Sequence, residues 1–538
     1  MPKLQTNGAK QKRTTYMILL LWAAVCFALL VVDWCCWAPN RLDADMASEQ
    51  LLANLLAQEG GVMSTNWYYS TELRVLNTQL VMAPLFRLFT SWHTVRVVGS
   101  VVLILLYLAA WFWFGRSAKL KYSGLLGAGL LVLPYGALYR QYVLEGLYYI
   151  PHIAISFVVL GCAVRILRGG RRLAPAAGMV LFSFAAALGG PRQLFILNIP
   201  LTVAAALLCW LDAPPADTLR QKLANAWRTP GGALLVPTLA ADAAALAGYL
   251  VNAKVLAEKY HFQDQGYVAF TGLNLDRLQW FANALLASFG WQEGKVFSLA
   301  ALFNLAAAAL ILFCFVFSVW LVRGKARYPL GHRLVGAFFL AGAVCFALLY
   351  GLTNSGHSDR YLLPLAILFV PLLEIMLADC TPLHRPDARG LTALLAAILL
   401  LRAGTDYRAA AVATNPNQGA AQFLVQNGYR DGYASFWDGN VMTELTDGTL
   451  NVWTLTPNSV PELRPWLQVT SHLQTPPHGK IFFVISKWEA YGERQPTTQA
   501  LADAMPEDAL IYEDATVKIY GFASDEAMRQ ACGFAAFP

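Results

Sequence analysis

Charge is what this chain has least of. Asp, Glu, Lys and Arg together make up 14% of its 538 residues, against roughly 25% in an average soluble chain. That deficit excludes a string of ordinary soluble domains and a disordered, highly charged polypeptide. Familiar nucleotide and metal signatures are missing too: no G-x-x-x-x-G-K-[ST] loop exists to cradle phosphates, and His-Glu-x-x-His, Gly-x-Ser-x-Gly and Cys-x-x-Cys do not occur. ATP-driven transport by this chain alone is therefore disfavoured. Nine cysteines are too irregularly placed for a disulfide framework or a zinc site. Cys26, Cys162, Cys209, Cys314 and Cys345 fall within apolar runs, where a thiol behaves as a small hydrophobe. Internal repeats and low-complexity tracts are absent.

What is present is apolar surface. Hydrophobic residues reach 57%, with 16 Trp, 22 Tyr and 29 Phe, and the mean hydropathy is +0.46. A helix crosses a bilayer core with about 20 apolar residues. About eleven runs approach that length: 15–34, 97–114, 123–139, 150–166, 174–190, 194–211, 232–251, 297–322, 334–352, 362–378 and 390–403. The fold class expected is thus a polytopic α-helical membrane protein. The formal charge of +7 reports orientation rather than a nucleic-acid partner, because Lys and Arg concentrate in alternate short segments at 3–13, 116–121, 165–172, 220–228, 323–333 and 385–389. The intervening short loops hold one basic residue each, Arg140, Arg192 and Arg360. The bias places the N-terminus in the cytoplasm and, with an odd number of spans, the C-terminus outside. Residues 1–404 form the membrane domain, with long outer loops at 35–96 and 252–296. From 405 to 538 the pattern changes to strand-like runs at 432–437, 452–455, 480–486, 509–512 and 517–522 with helical stretches between, which predicts a small extracytoplasmic α/β domain.

The first outer loop is the most informative segment. Asp43-Ala44-Asp45 opens a helical pattern in which Leu51, Leu52, Leu55 and Leu56 share one stripe, as in a helix lying in the membrane surface. An acid held there stays ionised and close to lipid head groups. The plainer reading is that Asp43 or Asp45 caps the helix. Arg192 and Arg360 stand directly at span ends, where snorkelling anchors are the plain alternative to ligand binding. Tyr361, Trp67, Tyr68 and Tyr69 suit either stacking or an aromatic belt at the interface. Asp242, near the middle of run 232–251, is protonated or bonded to a neighbouring helix.

A first span followed at once by an external acidic motif, a helix and a Trp/Tyr-rich stretch resembles the membrane glycosyltransferases of the GT-C superfamily, including protein O-mannosyltransferases and aminoarabinose transferases. Gly189-Gly190-Pro191-Arg192-Gln193 and His357-Ser358-Asp359-Arg360-Tyr361-Leu362-Leu363-Pro364 resemble that superfamily as well. The resemblance implies an enzyme that moves a sugar from a polyprenyl-phosphate donor to a hydroxyl of a glycan, protein or lipid acceptor at the outer face of the cell membrane. It assigns the base to Asp43, with Asp45 second, the donor phosphate to Arg192, Arg360 and Tyr361, a second acid to Glu145, and sugar or acceptor contacts to Trp67, Tyr68 and Tyr69. No cofactor is required by such chemistry, and a divalent cation between Asp43 and Asp45 is the alternative. Competing readings are a transporter or flippase of a lipid-linked saccharide, and a membrane-anchored saccharide-binding assembly protein. For the latter, Tyr433, Phe436, Trp437, Asp438 and Asn440 form the candidate cluster. His152 and His357 read as satisfied polar residues.

Overall fold

The computed structural model describes residues 2–71, 73, 75–169, 172–262, 268–325, 327–356, 358–380, 386–456, 462–488 and 496–534. His357, and Arg171 and Arg385 of the orientation pattern, lie outside the described residues. The chain divides into two compact units, one comprising Met1–Val32, Val101–Val255 and Gly266–Arg408, the other Asp33–Ser100, Leu256–Gln265 and Ala409–Pro538.

The first unit is helical. Among the described residues, 8 helical stretches are long and apolar enough to cross a membrane: Lys12–Cys36, Trp92–Ala118, Ile150–Leu167, Leu194–Asp212, Pro230–Lys259, Leu299–Arg323, Leu330–Leu352 and Asp359–Leu377. Each coincides with an expected run. The run at 123–139 does not make one long helix. Leu125–Leu131 is helical, but Pro134 lacks an N–H and Gly136 is extended (φ −168°, ψ 158°), so the chain breaks before turning through Arg140–Glu145. Gly136 is required by close approach: a Cβ there would lie 2.6 Å from the Cα of Gly290. The run at 174–190 yields the 15-residue helix Leu173–Ala187, about 22 Å long and shorter than a bilayer core of about 30 Å. The run at 390–403 lies within the continuous helix Pro386–Val412. Asp242 accepts a hydrogen bond from Thr202 Oγ1 at 2.6 Å on the neighbouring helix, as the bonded reading expected.

In the second unit the loop after the first span and the C-terminal residues fold together. The helix Ala44–Glu59 buries Met46, Leu52 and Leu56 against the helices Gln79–Phe86 and Phe436–Leu445. Its leucine stripe is therefore divided: Leu52 and Leu56 serve the protein core, at roughly 1.5–3 kcal/mol each, while Leu51 and Leu55 are half-buried. Five strands follow: β1 Asp431–Ser435, β2 Asn451–Leu455, β3 Ile481–Ser486, β4 Leu510–Glu513 and β5 Val517–Phe522. They form one mixed sheet in the order β2-β1-β3-β5-β4. The strand β1 is parallel to β2 and β3, whereas β5 is antiparallel to β3 and β4. The strand β3 is buried at every position, as a strand covered on both faces must be. Ile481, Phe483 and Ile485 meet Tyr433, Leu501 and Met528 on one face, and Phe482 and Val484 meet Ala420, Leu424 and Ile519 on the other. The expected strand 432–437 ends earlier, because Ser435 and Asp438 hydrogen-bond at 3.0 Å and Phe436 starts a helix.

Candidate functional site

In the first unit, loops far apart in sequence bring both expected arginines onto one aromatic frame. Gly189-Gly190 ends the preceding helix, with Gly190 at φ 123°, and presents Arg192. Its guanidinium carbon lies 5.3 Å from the Tyr149 ring centre and 4.8 Å from that of Tyr361. Arg360, in the single turn Asp359–Leu362, lies 5.2 Å from the centre of Tyr142. The rings of Tyr142 and Tyr149 are themselves 6.1 Å apart, and Tyr148 contacts both. Tyr361 thus stacks against Arg192 rather than beside its sequence neighbour. Stacking engages the face of a guanidinium and bidentate phosphate binding its edge, so the two are compatible. Sequence reasoning missed Tyr142, Tyr148 and Tyr149. The density of tyrosine in the loop around Arg140–Glu145 was the available signal.

Glu145 is buried in the same unit, with one carboxylate oxygen 3.4 Å from Arg140 Nε. Arg140 also faces Asp406 at 3.6 Å, and Asp406 faces Arg402 at 3.6 Å. The acid thus belongs to a chain of ion pairs. His152 contacts Gln193 Oε1 through Nδ1 at 3.1 Å.

Asp43 and Asp45 belong to the second unit. Asp43 is the N-cap of its helix, accepting from the Met46 N–H at 2.8 Å through Oδ1, and so fulfils the plain reading. It also lines a cleft of about 550 Å³. Across that cleft stand Trp437, Asp438, Lys487 and Trp488, the two indoles exposed at 49% and 63%. Burial pushes the Asp438 carboxyl above the ordinary carboxylate range, opposed by hydrogen bonds from Ser435 and Asn417. Of the other residues in the candidate saccharide cluster, Tyr433, Phe436 and Asn440 are buried in the fold. Trp67 and Tyr69 are likewise fully buried, Tyr69 accepting a hydrogen bond from Ser64 N–H at 3.0 Å. Tyr68 is partly exposed and lies against His261 at 5.0 Å. Behind the cleft, Arg96 binds both carboxylate oxygens of Glu444 at 2.7 and 2.6 Å and the Met46 carbonyl at 3.0 Å. Among the described residues no group of three or more His, Cys, Asp or Glu side chains is placed to hold a metal ion.

His472 supplies a test of this unit's integrity. It stacks on Trp453 at 4.1 Å and bonds Gln468 and Asn451 through its two ring nitrogens, at 3.2 and 3.0 Å. Burial lowers its pKa from 6.5 to about 3. Below pH 6.5 the unfolded imidazole takes up a proton that the folded one refuses, so stability is full above that value and declines as pH falls toward 3. The expected loss is about 1.4 kcal/mol per pH unit within that window. Melting curves of the wild type and His472→Gln between about pH 7 and pH 5 should diverge, the variant being the flatter of the two; parallel curves would contradict this account.

No protein-family model matches the chain, and no curated protein matches it. Solved structures do. The chain is similar to ArnT from Cupriavidus metallidurans in the apo state, with a TM-score of 0.54 at 12% identity over 95% of this chain and 98% of that one. Against the same protein bound to undecaprenyl phosphate the TM-score is 0.55, at 11% identity over 93% and 97%. The Archaeoglobus fulgidus oligosaccharyltransferase tethered with an acceptor peptide gives 0.45, at 11% identity over 95% and 74%. At such identities the likeness is one of fold. The chain shares the overall fold of ArnT and, among its described residues, carries eight helices long and apolar enough to cross a membrane, the polytopic architecture that the hydropathy runs implied.

Proposed function

We propose that this protein is an inverting glycosyltransferase that transfers a sugar from a polyprenyl-phosphate donor to an acceptor hydroxyl at the outer face of the cell membrane, with the C-terminal residues extracytoplasmic. The observation that carries the reading is the frame shared by Arg192 and Arg360, two guanidinium groups from separate loops at span ends. It occurs in a fold shared with a transferase solved with undecaprenyl phosphate. In the proposed step the Asp43 carboxylate takes the proton of the acceptor hydroxyl, whose oxygen attacks the anomeric carbon opposite the phosphate. The carbon–oxygen bond to phosphate breaks, its electron pair stays on the leaving phosphate, and the configuration inverts. The arginines stabilise the charge that gathers there. Asp45 is the second candidate base, and Glu145, paired with Arg140, is the candidate second acid. Trp437 and Trp488 offer stacking surfaces for a saccharide acceptor beside Asp43, with Tyr68 a further contact.

The transporter reading has less behind it, since a transporter calls for paired charges within the spans, and Asp242 is bonded to a Thr hydroxyl rather than to a charge. The test is transfer from a labelled polyprenyl-phosphate sugar by purified protein. Arg192→Gln and Arg360→Gln should each lower kcat by roughly 100-fold or more, the usual loss for one donor to a developing anion. Tyr361→Ala, which removes one ring from Arg192, should cost about tenfold at most. Full turnover in the double arginine variant would refute the clamp.

A further inference from the structure

A basic cavity lies in the first unit away from the aromatic frame. The 18-residue helix Ile150–Leu167 begins beside Tyr149 of the aromatic frame, and its length of about 27 Å separates that frame from Arg168. Arg168, Lys119, Lys121 and Arg327 line a cavity of about 700 Å³ together with His332. No Asp or Glu is among its described lining residues. Val164, Leu167 and Leu330 supply an apolar wall. That volume falls within the range of about 300–1,000 Å³ typical of small-molecule sites.

Helix dipoles explain part of this charge. Lys119 and Arg168 follow the C-termini of the helices Trp92–Ala118 and Ile150–Leu167, where cations are favoured. They do not explain Arg327, which precedes the N-terminus of Leu330–Leu352. That is the positive end of a helix, and its first turn contains no acid. The N-terminal residues Pro329, Leu330 and Gly331 face the same cavity, so the helix adds to the positive potential. Lys119 is also held against local preference. It sits at φ 56° in the turn closing Trp92–Ala118, with its own N–H on Arg116 O at 3.3 Å and the Leu120 N–H on Gly115 O at 2.9 Å. This is the helix-ending position where glycine is the usual residue.

We infer that this cavity binds the phosphate of an anionic lipid head group, its cations meeting the phosphate and its apolar wall the adjoining glycerol and acyl chain. Loop charge places it on the cytoplasmic side, where anionic lipids attract juxtamembrane basic groups. The site is separate from the transferase reading and does not depend on it.

Native mass spectrometry of the purified full chain, titrated with dioleoyl phosphatidylglycerol, dioleoyl phosphatidylcholine or inorganic phosphate, tests the assignment. Phosphatidylglycerol should be retained in preference to phosphatidylcholine, and inorganic phosphate at equal concentration should not displace it. Lys119→Gly relieves the left-handed backbone while deleting a charge, so its thermal midpoint should not fall although lipid affinity drops roughly fivefold. Adding Arg327→Gln should bring the loss to roughly twentyfold. Equal retention of both lipids, or wild-type affinity in the double variant, would overturn the site. Displacement by inorganic phosphate would assign the cavity to a soluble anion instead of a lipid. The measurement needs no turnover, so it can fail while sugar transfer stands, or succeed while sugar transfer fails.

Discussion

Asp43→Asn should leave the protein folded and slow sugar transfer by roughly 100- to 10,000-fold, the usual contribution of a positioned general base. Asn caps helices about as well as Asp, so the bond to the Met46 N–H survives the substitution and the helix Ala44–Glu59 keeps its start. What disappears is the capacity to accept a proton. The variant thus separates the capping role, which the geometry displays, from the catalytic role proposed here. Single-turnover transfer is the measurement, with melting temperature as the control for folding. Asp45→Asn serves as the comparison. If it alone abolishes turnover, the base moves two residues along; if both variants retain turnover, neither acid is the base.

The largest stability effect should come from Arg96→Met. Both charges of the Arg96–Glu444 pair are buried, and the guanidinium also ties down the Met46 carbonyl beside Asp43. Removing one partner of such a pair costs about 3–5 kcal/mol, because the other charge is left in a medium that solvates it poorly. Burial already raises the Glu444 pKa, and Arg96 is the principal group opposing it. Without Arg96 the folded carboxyl binds its proton more tightly than the unfolded one, so the variant should regain stability as pH falls toward the ordinary carboxylate range. Adding Glu444→Gln should recover much of the loss at neutral pH. Denaturation followed by fluorescence across that pH range decides the matter, and an undiminished midpoint in Arg96→Met would disprove the burial argument.

Local pattern was enough for some of this architecture and insufficient for the rest. The strand Val517–Phe522 is found where apolar alternation put it, and the eight long apolar stretches coincide with hydropathy runs, since both depend on the composition of one contiguous segment. Run 123–139 misled because hydropathy averages over Pro134 and Gly136, whose backbone constraints decide the break. The tyrosine frame and the Arg96–Glu444 pair escaped notice for another reason. They join residues from distant segments, and the order of elements does not specify which side chains meet. Trp67 and Tyr69 show the converse problem: an aromatic cluster after a span fits a lipid interface as well as a packed core, and only the fold distinguishes them. Arg192 and Arg360 could be singled out as candidates because each stood alone in a loop depleted of positive charge.

One consequence follows from the way Arg192 rests between Tyr149 and Tyr361. A mobile arginine carries about 2 kcal/mol of rotamer freedom, which a ligand must suppress on binding. Here folding has already confined the side chain, so in the proposed site an arriving head group would meet a preset grip and forfeit less disorder in being captured. If the proposed donor binds there, swapping either ring for leucine should surface chiefly as a less favourable binding entropy, with the heat released per contact little changed.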